Sequence, residues 1–488
     1  MAERELSGGA LGELRGSLTG AVIASDDPEY DAARRCFNAL VDRRPAVIVR
    51  CAGPGDVAAA FDFARIHDLE IAVRGGGHNP AGHCVLDDGL VIDLSSLRRV
   101  DVDRDSMVAR AGGGSTWLDS DAATLAHGLV TPGGVVGSTG VCGLAMGGGI
   151  GHLTAQFGLT CDNIVAAELV TPDGAVLPVN PEENADVLWA LRGGGGSFGV
   201  ATWLELRVYE LRQVVGGLLV YQGNGVREAL RVFRDVAARS RPDLSCQAVL
   251  RLDPSGAPTL VIAPCYTGTQ DDPDELRMLR AAPGLVQDGV REHGFGAQQN
   301  LFGDTYGVDR HYWKGHFVRE LPDELIDELL VRITALGRPP GSVLIESLHG
   351  APKEADASAA AVGFRDAAFN ISAMAVWLDP ELDDIQRDWA RTTAAAIEPW
   401  AVSGGYFNYM QADEPIERVR AAFGADSFER LQAQGEVRSE QRPQAEPEHP
   451  SAPVGADTPP SSVGVQQLGS GGVGNLGVVS RSGRSACS

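Results

Sequence analysis

The sequence predicts an α+β fold in two unlike parts, and three observations carry that reading. Up to about Leu211 the chain is short apolar strands that run into glycine-rich loops; the clearest is Leu69-Glu-Ile-Ala-Val-Arg-Gly-Gly-Gly-His-Asn-Pro-Ala-Gly-His83. From Arg212 the texture changes to longer strands alternating with acidic amphipathic helices, the pattern of an antiparallel sheet covered by helices on one face. Past Gln434 the chain becomes rich in Pro, Ser and Gly and loses all periodicity, the composition of a disordered segment.

Residues 45–51 read as a buried strand, and after a Gly-Pro-Gly turn residues 56–66 have the apolar spacing of a helix. The next strand ends at Arg74, where three glycines and His78 present bare, curved backbone, the means by which N–H groups cradle phosphate. It is not the dinucleotide fingerprint of a helix-opening glycine loop, because Pro80 follows and biases Asn79 towards extended geometry. Residues 90–94, 99–102 and 107–110 are short β segments, and 116–129 reads as a helix. Residues 164–171 and 176–178 form a hairpin about Asp173-Gly174. Asn184 is placed to cap the helix carrying Trp189 and Leu191, and a long strand over 200–209 closes the first part. In the second part, strands are expected over 214–221, 247–252, 260–266, 343–348 and 370–377, with a last strand over 404–409.

Composition narrows the function classes. The 488 residues suffice for two or three domains, and a net charge of −24 argues against nucleic acid and anionic membrane as partners. Eight cysteines without a Cys-x-x-Cys pair point to buried free thiols rather than to zinc or a disulfide framework. The first residues lack a signal-peptide pattern and no run reaches membrane-spanning length, so the expectation is a soluble, cytoplasmic protein.

A second glycine-rich stretch runs Thr131-Pro-Gly-Gly-Val-Val-Gly-Ser-Thr-Gly-Val-Cys-Gly-Leu-Ala-Met-Gly-Gly-Gly-Ile-Gly-His152, followed by Gly158-Leu-Thr-Cys-Asp-Asn163. A third is Asp186-Val-Leu-Trp-Ala-Leu-Arg-Gly-Gly-Gly-Gly-Ser-Phe-Gly-Val200. In this order and spacing the three stretches resemble the vanillyl-alcohol-oxidase (PCMH-type) FAD proteins, in particular the bacterial berberine-bridge-enzyme-like oxidoreductases, over roughly residues 40–433. The resemblance implies a two-subdomain FAD-binding domain in residues 1–211 and a substrate domain in 212–402 lying over the flavin. It further implies a return segment in 403–433 that packs near the flavin.

Carried over position by position, the resemblance implies FAD contacts from Arg74, Gly75, Gly76, Gly77, His78, Asn79, Gly82, Thr139, Gly140, Gly143, Gly149, Gly199, Val200, Tyr406 and Asn408. His78 is expected to bond covalently to the 8α-methyl carbon of FAD. Relatives with a second, cysteinyl link carry that cysteine where this chain has Val136, so Cys142 is out of register and a single link through His78 is expected. Thr139 stands where relatives can carry a bulky aliphatic that blocks oxygen, which favours an oxidase over a dehydrogenase. Tyr406-Phe-Asn-Tyr409 matches the family's Tyr-x-Asn-Tyr motif, and Tyr409 takes the place of the catalytic base. Such a base needs a depressed pKa, since tyrosine starts near ~10, and in a flat strand it would face away from Asn408. Tyr306, His311, Tyr312, Trp313, His316, His349 and Trp377 are further polar or aromatic candidates for the cavity, His349 foremost because a glycine follows it at a strand end.

The function implied is an FAD-dependent oxidase that moves hydride from an alcohol or similar C–H bond of a sugar or natural product to flavin N5 and then to molecular oxygen, giving peroxide. Two alternatives are an amine oxidase of the hydroxynicotine type and a non-catalytic flavoprotein that sequesters a drug-like ligand. The family closes with a segment of the type Lys-x-Lys-Tyr-Asp-Pro-x-Asn-x-Phe-Arg-x-Asn-Gln-x-Ile, which residues 434–488 lack. One permitted codon set for residues 434–450, read one base out of register, encodes Lys-Ala-Lys-Tyr-Asp-Pro-Asn-Asn-Val-Leu-Arg-Leu-Asn-Gln-Asn-Ile. Residues 434–488 are therefore expected to be a frameshifted tail.

Overall fold

The computed structural model describes residues 6–440 apart from 271, 303–308 and 336–340. Strands Val47–Arg50, Leu90–Asp93 and Ile71–Arg74 pair in parallel, and Ala21–Ala24 adds an antiparallel edge. Val47, Ile48 and Val49 are all fully buried, as befits a parallel sheet covered on both faces. Helix Pro54–Ile66 begins on a proline at its first turn, where the missing N–H costs nothing. Beside it the buried Asp56 carboxylate accepts from the backbone N–H groups of Thr19, Gly20 and Ala52 at 2.9, 2.9 and 2.7 Å. A second, five-stranded antiparallel sheet follows the order Val100–Asp103, Val108–Gly112, Val200–Arg207, Ile164–Val170, Val176–Val179. The short helix Val141–Met146, buried at every position, packs on its two central strands, Val108–Gly112 and Val200–Arg207.

The second part is one antiparallel sheet whose central strands run Pro258–Tyr266, Leu244–Leu252, Gly341–Ser347, Phe369–Trp377, Arg310–Val318. Helices Val226–Ala238, Asp274–Ala281, Asp323–Ala335 and Asp383–Ile397 pack with one face: Cys246, Ala248, Leu250, Val343, Ile345, Ile371 and Ala373 join their apolar core. Because side chains alternate along a strand, Gln247, Val249, Leu344, Glu346, Asn370, Met374 and Trp313 point the other way; Val249, Leu344, Met374 and Trp313 belong to the core that includes the glycine-loop part. The expected sheet with helices on one face is what the chain builds, and its bare face roofs the glycine loops.

Several local expectations fail for identifiable reasons. The helix expected over 116–129 ends at Leu125, and Gly128 at φ 71° turns the chain into the strand Leu129–Val130. The strand expected over 214–221 is two, Gln213–Gly216 and Leu219–Gln222, broken at Gly217 with φ 134°. Asn184 stands before helix Ala185–Leu191, yet it adopts φ 60° and spends its amide on the Pro178 carbonyl at 2.7 Å instead of capping. Residues 404–409 are not a strand: pairing stops with Ala401–Ser403, and Phe407–Tyr409 is a 3-10 turn. Helix Ala425–Glu440 continues past Gln434, while the Pro/Ser/Gly-rich stretch from residue 441 lies outside the described residues. Cys36, Cys51, Cys84, Cys142, Cys161, Cys246 and Cys265 are buried free thiols, as expected. No described helix is long and apolar enough to cross a membrane.

Candidate active site

The site begins where two glycine loops touch. A Cβ on Gly76 would lie 2.3 Å from the Gly140 nitrogen, and one on Gly140 would lie 2.5 Å from the Gly76 nitrogen, so only glycine fits at either position. That contact sets His78 against the second loop, with Nε2 2.6 Å from Ser138 Oγ and Nδ1 3.5 Å from Thr139 Oγ1. Phe37 stacks on His78 at 4.5 Å and on His311 of the roof at 4.1 Å. Burial drives the His78 pKa down to about 3, with lesser pushes from His311 and Arg74, so the imidazole is neutral. The Arg74 guanidinium is held by the Ala33 carbonyl.

Further along the second loop, Tyr406 and Asn408 lock the triple glycine. The Gly149 N–H donates to Tyr406 Oη at 2.7 Å, and Asn408 Nδ2 donates to the same oxygen at 2.9 Å and to the Leu144 carbonyl at 3.1 Å. A Cβ on Gly147 would come within 1.7 Å of Asn408 Oδ1, and Gly149 sits at φ 85° with its Cβ position against Thr160. Tyr406 and Asn408 are thus joined to each other and to the second glycine loop.

Tyr409 reaches its place because the 3-10 turn rotates it upward into the roof. Its hydroxyl donates to Glu346 Oε1 at 3.3 Å, Asn370 Nδ2 donates to Glu346 Oε2 at 2.7 Å, and the Trp313 ring meets the Tyr409 ring edge-on at 5.5 Å. Glu346 is 1% exposed, and burial raises its carboxyl to about 7. Burial first, and the Glu346 charge second, push the Tyr409 hydroxyl well above its ordinary value. The depressed tyrosine pKa expected from the sequence is not found: the hydroxyl's partner is a carboxyl group, and its pKa is raised. Glu346 was missed by sequence reading, although an acidic residue at an inward position of the apolar strand Val343-Leu-Ile-Glu346 was a signal.

Other candidates divide. Asn79 Oδ1 accepts from the His83 N–H at 3.0 Å and shapes the turn that Gly82 completes at φ 71°. Gly143 lies inside helix Val141–Met146, and Gly199 precedes Val200, which opens the strand Val200–Arg207 opposite Val170. Cys142 directs Sγ to the Gly112 carbonyl at 3.8 Å on the five-stranded sheet, and burial lifts its thiol to about 12. His311 and Trp313 face the glycine loops. Tyr312 instead bonds Asp413, His316 contacts Arg418, and Trp377 bonds Asp383, all on the helix side. His349 Nε2 bonds the Arg241 and Leu244 carbonyls at 3.1 and 2.8 Å, a structural tie away from Tyr409. Tyr306 lies outside the described residues.

Buried polar atoms without a partner are rare in proteins, and leaving each unsatisfied costs about 1–3 kcal/mol. Here Trp117 Nε1, Thr131 Oγ1, His152 Nε2 and Thr160 Oγ1 belong to the loop part, and both ring nitrogens of His311, Trp313 Nε1 and both amide atoms of Gln247 belong to the roof. Glycine backbone pressed too close for side chains, with unpaired donors and acceptors in the parts on either side of it, fits a polar cofactor. The described residues hold no cluster of metal ligands.

Comparison with known proteins agrees with this geometry. Residues 45–180 match the family model described as an FAD binding domain. (R)-6-hydroxynicotine oxidase of Paenarthrobacter nicotinovorans is 34% identical over 278 residues, 56% of this chain and 61% of that protein. An FAD-linked oxidoreductase of Dictyostelium discoideum is 27% identical over 417 residues, 84% of this chain and 90% of that one. The matches span 61%, 46% and 45% of the first three curated relatives, roughly half of their length. Among solved structures, 6-hydroxy-D-nicotine oxidase of Arthrobacter nicotinovorans superposes with a TM-score of 0.78 at 26% identity, covering 87% of this chain and 96% of that one. Berberine bridge enzyme in complex with (S)-reticuline gives 0.78 at 20% identity, covering 90% and 97%, a likeness of fold. Residues 45–180 thus carry an FAD binding domain, and the chain is similar to FAD-linked oxidoreductases in sequence and to the hydroxynicotine oxidase and berberine bridge enzyme structures in fold.

Proposed function

We propose that the protein is an FAD-dependent oxidase acting on an alcohol or similar C–H bond of a sugar or natural-product substrate. The observation that carries this reading is the enclosed Tyr409–Glu346–Asn370 chain facing the glycine loops. The bound flavin supplies the two-electron acceptor. The protein supplies a place for one proton: a substrate hydroxyl gives its proton to Tyr409 Oη as Tyr409 passes its own to Glu346 Oε1. A relay of this kind requires no depressed tyrosine pKa, because the proton comes to rest on a carboxyl that titrates near 7. Asn370, donating to the other carboxylate oxygen, keeps Glu346 oriented towards Tyr409.

The neutral His78 imidazole, with lone-pair character at working pH, suits the single covalent flavin link proposed for it, and Cys142 is spent on the sheet side of its helix. Thr139 beside His78 leaves a small polar surface where oxygen is proposed to approach. The seven buried free thiols of the described residues suit a cytoplasmic protein, and a role in secondary metabolism is part of the same proposal. Amine oxidation is the second reading, favoured by the likeness to the hydroxynicotine oxidases.

Anaerobic flavin bleaching across pH, with alcohol and amine substrates, tests the reading. With an alcohol, Tyr409→Phe and Glu346→Gln each slow bleaching by about 10²–10⁴-fold, and the wild-type rate rises with pH through about 7. A neutral amine needs no hydroxyl deprotonation, so bleaching that survives Tyr409→Phe favours the amine reading, and bound flavin that no substrate bleaches contradicts both.

A further inference from the structure

We propose that Cys36 and Cys84 are a peroxide-reactive pair, joined on oxidation by a reversible disulfide that fastens the Phe37–Asn38 segment to the turn after His78. Residues 36–43 run alongside residues 77–85 with contacts along their length. The Phe37 N–H donates to the Gly77 carbonyl at 2.9 Å, and Asn38 Nδ2 donates to the Pro80 carbonyl at 2.8 Å. A Cβ on Gly82 would lie 2.5 Å from Val41 Cγ1, and Arg43 Nη1 donates to the Gly82 and Val85 carbonyls at 3.2 and 2.9 Å. Among these contacts the two thiols meet, hydrogen-bonded to each other in a small core with Ala72, Val85 and Leu86. Two cysteines can be bridged only where their backbones already lie close, and this alignment of the two segments brings them close.

The surroundings single this pair out among the described cysteines. Arg43 is anchored on the Cys84 turn, and Arg74 on the Ala33 carbonyl shortly before Cys36. The hydrogen bond from Cys84 holds the Cys36 thiol below its ordinary value against the opposing effect of burial, with the Asn38 backbone and the Arg74 and Arg43 charges adding to it; Cys84, the donor, is pushed up. Burial instead pushes up the thiols of Cys51, Cys142, Cys161, Cys246 and Cys265. The pair is 3% and 2% exposed, so its oxidant must be small. The Cys36 thiolate attacks one oxygen of hydrogen peroxide, the O–O bond breaks, and the departing hydroxide takes up the proton that Cys36 released, leaving water and a sulfenic acid on Cys36. The Cys84 sulfur then attacks the Cys36 sulfur; the S–O bond breaks, and hydroxide leaves with the Cys84 proton as a second water. Peroxide is the product of the oxidase reading above, and added peroxide tests the pair whatever becomes of that reading. A bridge across a loop of roughly 50 residues stabilises by restricting the unfolded chain. Because Phe37 stacks on His78 and Asn38 holds His311, that restriction acts on the flavin loop and its roof.

The test treats flavin-loaded, full-length protein with a slight molar excess of hydrogen peroxide, alkylates the remaining thiols in denaturant and maps the peptides. The expected product joins the peptides of Cys36 and Cys84, separates on dithiothreitol, and leaves Cys51, Cys142, Cys161, Cys246 and Cys265 alkylated. The oxidised protein melts several degrees above the same sample after dithiothreitol. In Cys84→Ser, which keeps a hydrogen-bond donor beside Cys36, dimedone captures a sulfenic acid on Cys36 and peroxide leaves the melting temperature unchanged. The wild-type map decides the matter even if that variant fails to fold. The proposal is overturned if peroxide leaves both thiols free to be alkylated, if all seven described thiols oxidise alike, if Cys36 gains oxygen without joining Cys84, or if the joined protein melts no higher than the reduced one.

Discussion

Glu346 is held where an ionised carboxylate is costly: it is wrapped by the sheet and the 3-10 turn, bonded by a phenol and an amide and, among the described residues, by no cation. Its folded pKa of about 7 lies above the ordinary value of 4.5. Between those values the folded protein keeps a proton that the unfolded chain releases, so this group's contribution to stability falls as pH rises from about 4.5 to 7. At about 1.4 kcal/mol per pKa unit, the cost above pH 7 is about 3 kcal/mol. Denaturant titrations at pH 5 and pH 8 should show Glu346→Gln gaining on wild type at the higher pH by an amount of that order; parallel behaviour at both values would mean that the carboxyl is not buried as described. Tyr409 was legible in the sequence because a motif marks it. Glu346 was not, because a single acid in a strand discloses neither its face nor its neighbours until the cross-strand register is known.

At the scale of elements, the site depends on how strand Arg310–Val318 is seated on the flavin domain. Asn38 does this with one amide: Nδ2 donates to the Pro80 and His311 carbonyls, and Oδ1 accepts from the His311 N–H, each at 2.8 Å. The neighbouring Phe37 then stacks on both His78 and His311. Asn38→Ala leaves these backbone groups buried and unpaired at about 1–3 kcal/mol each, and the melting temperature should fall by several degrees with a parallel loss of retained flavin. Asn38→Asp, which can accept but not donate, should fail similarly; a melting temperature within a degree of wild type would show that the strand is seated by other means. Apolar periodicity foretold most strands in both parts, because burial on one or two faces writes itself into the pattern. It misplaced the end of the Thr116 helix, the break at Gly217 and the turn at Tyr409, all set by single positions where long-range packing decides the backbone.

For the whole molecule, the two parts share a core in which roof residues such as Val249, Leu344 and Met374 pack with Val141, Met146 and Tyr406 of the loop part and return segment. The return segment ends in helix Ala425–Glu440, where Arg430 lies over the Trp189 ring at 3.7 Å and Leu431 packs against the main core. From about Gln434, within this helix, we propose that the sequence is a frameshifted reading. Restoring the closing segment should raise both melting temperature and flavin occupancy, and a gene sequence whose codons cannot be shifted into that segment would contradict the idea. The central claim, a flavin enzyme built around His78, is tested most directly by precipitating the purified protein with acid and mapping its peptides. The pellet should be yellow, with the flavin mass on the single peptide that contains His78 and none on the peptide that contains Cys142. A pellet and a supernatant that are both free of flavin would contradict it.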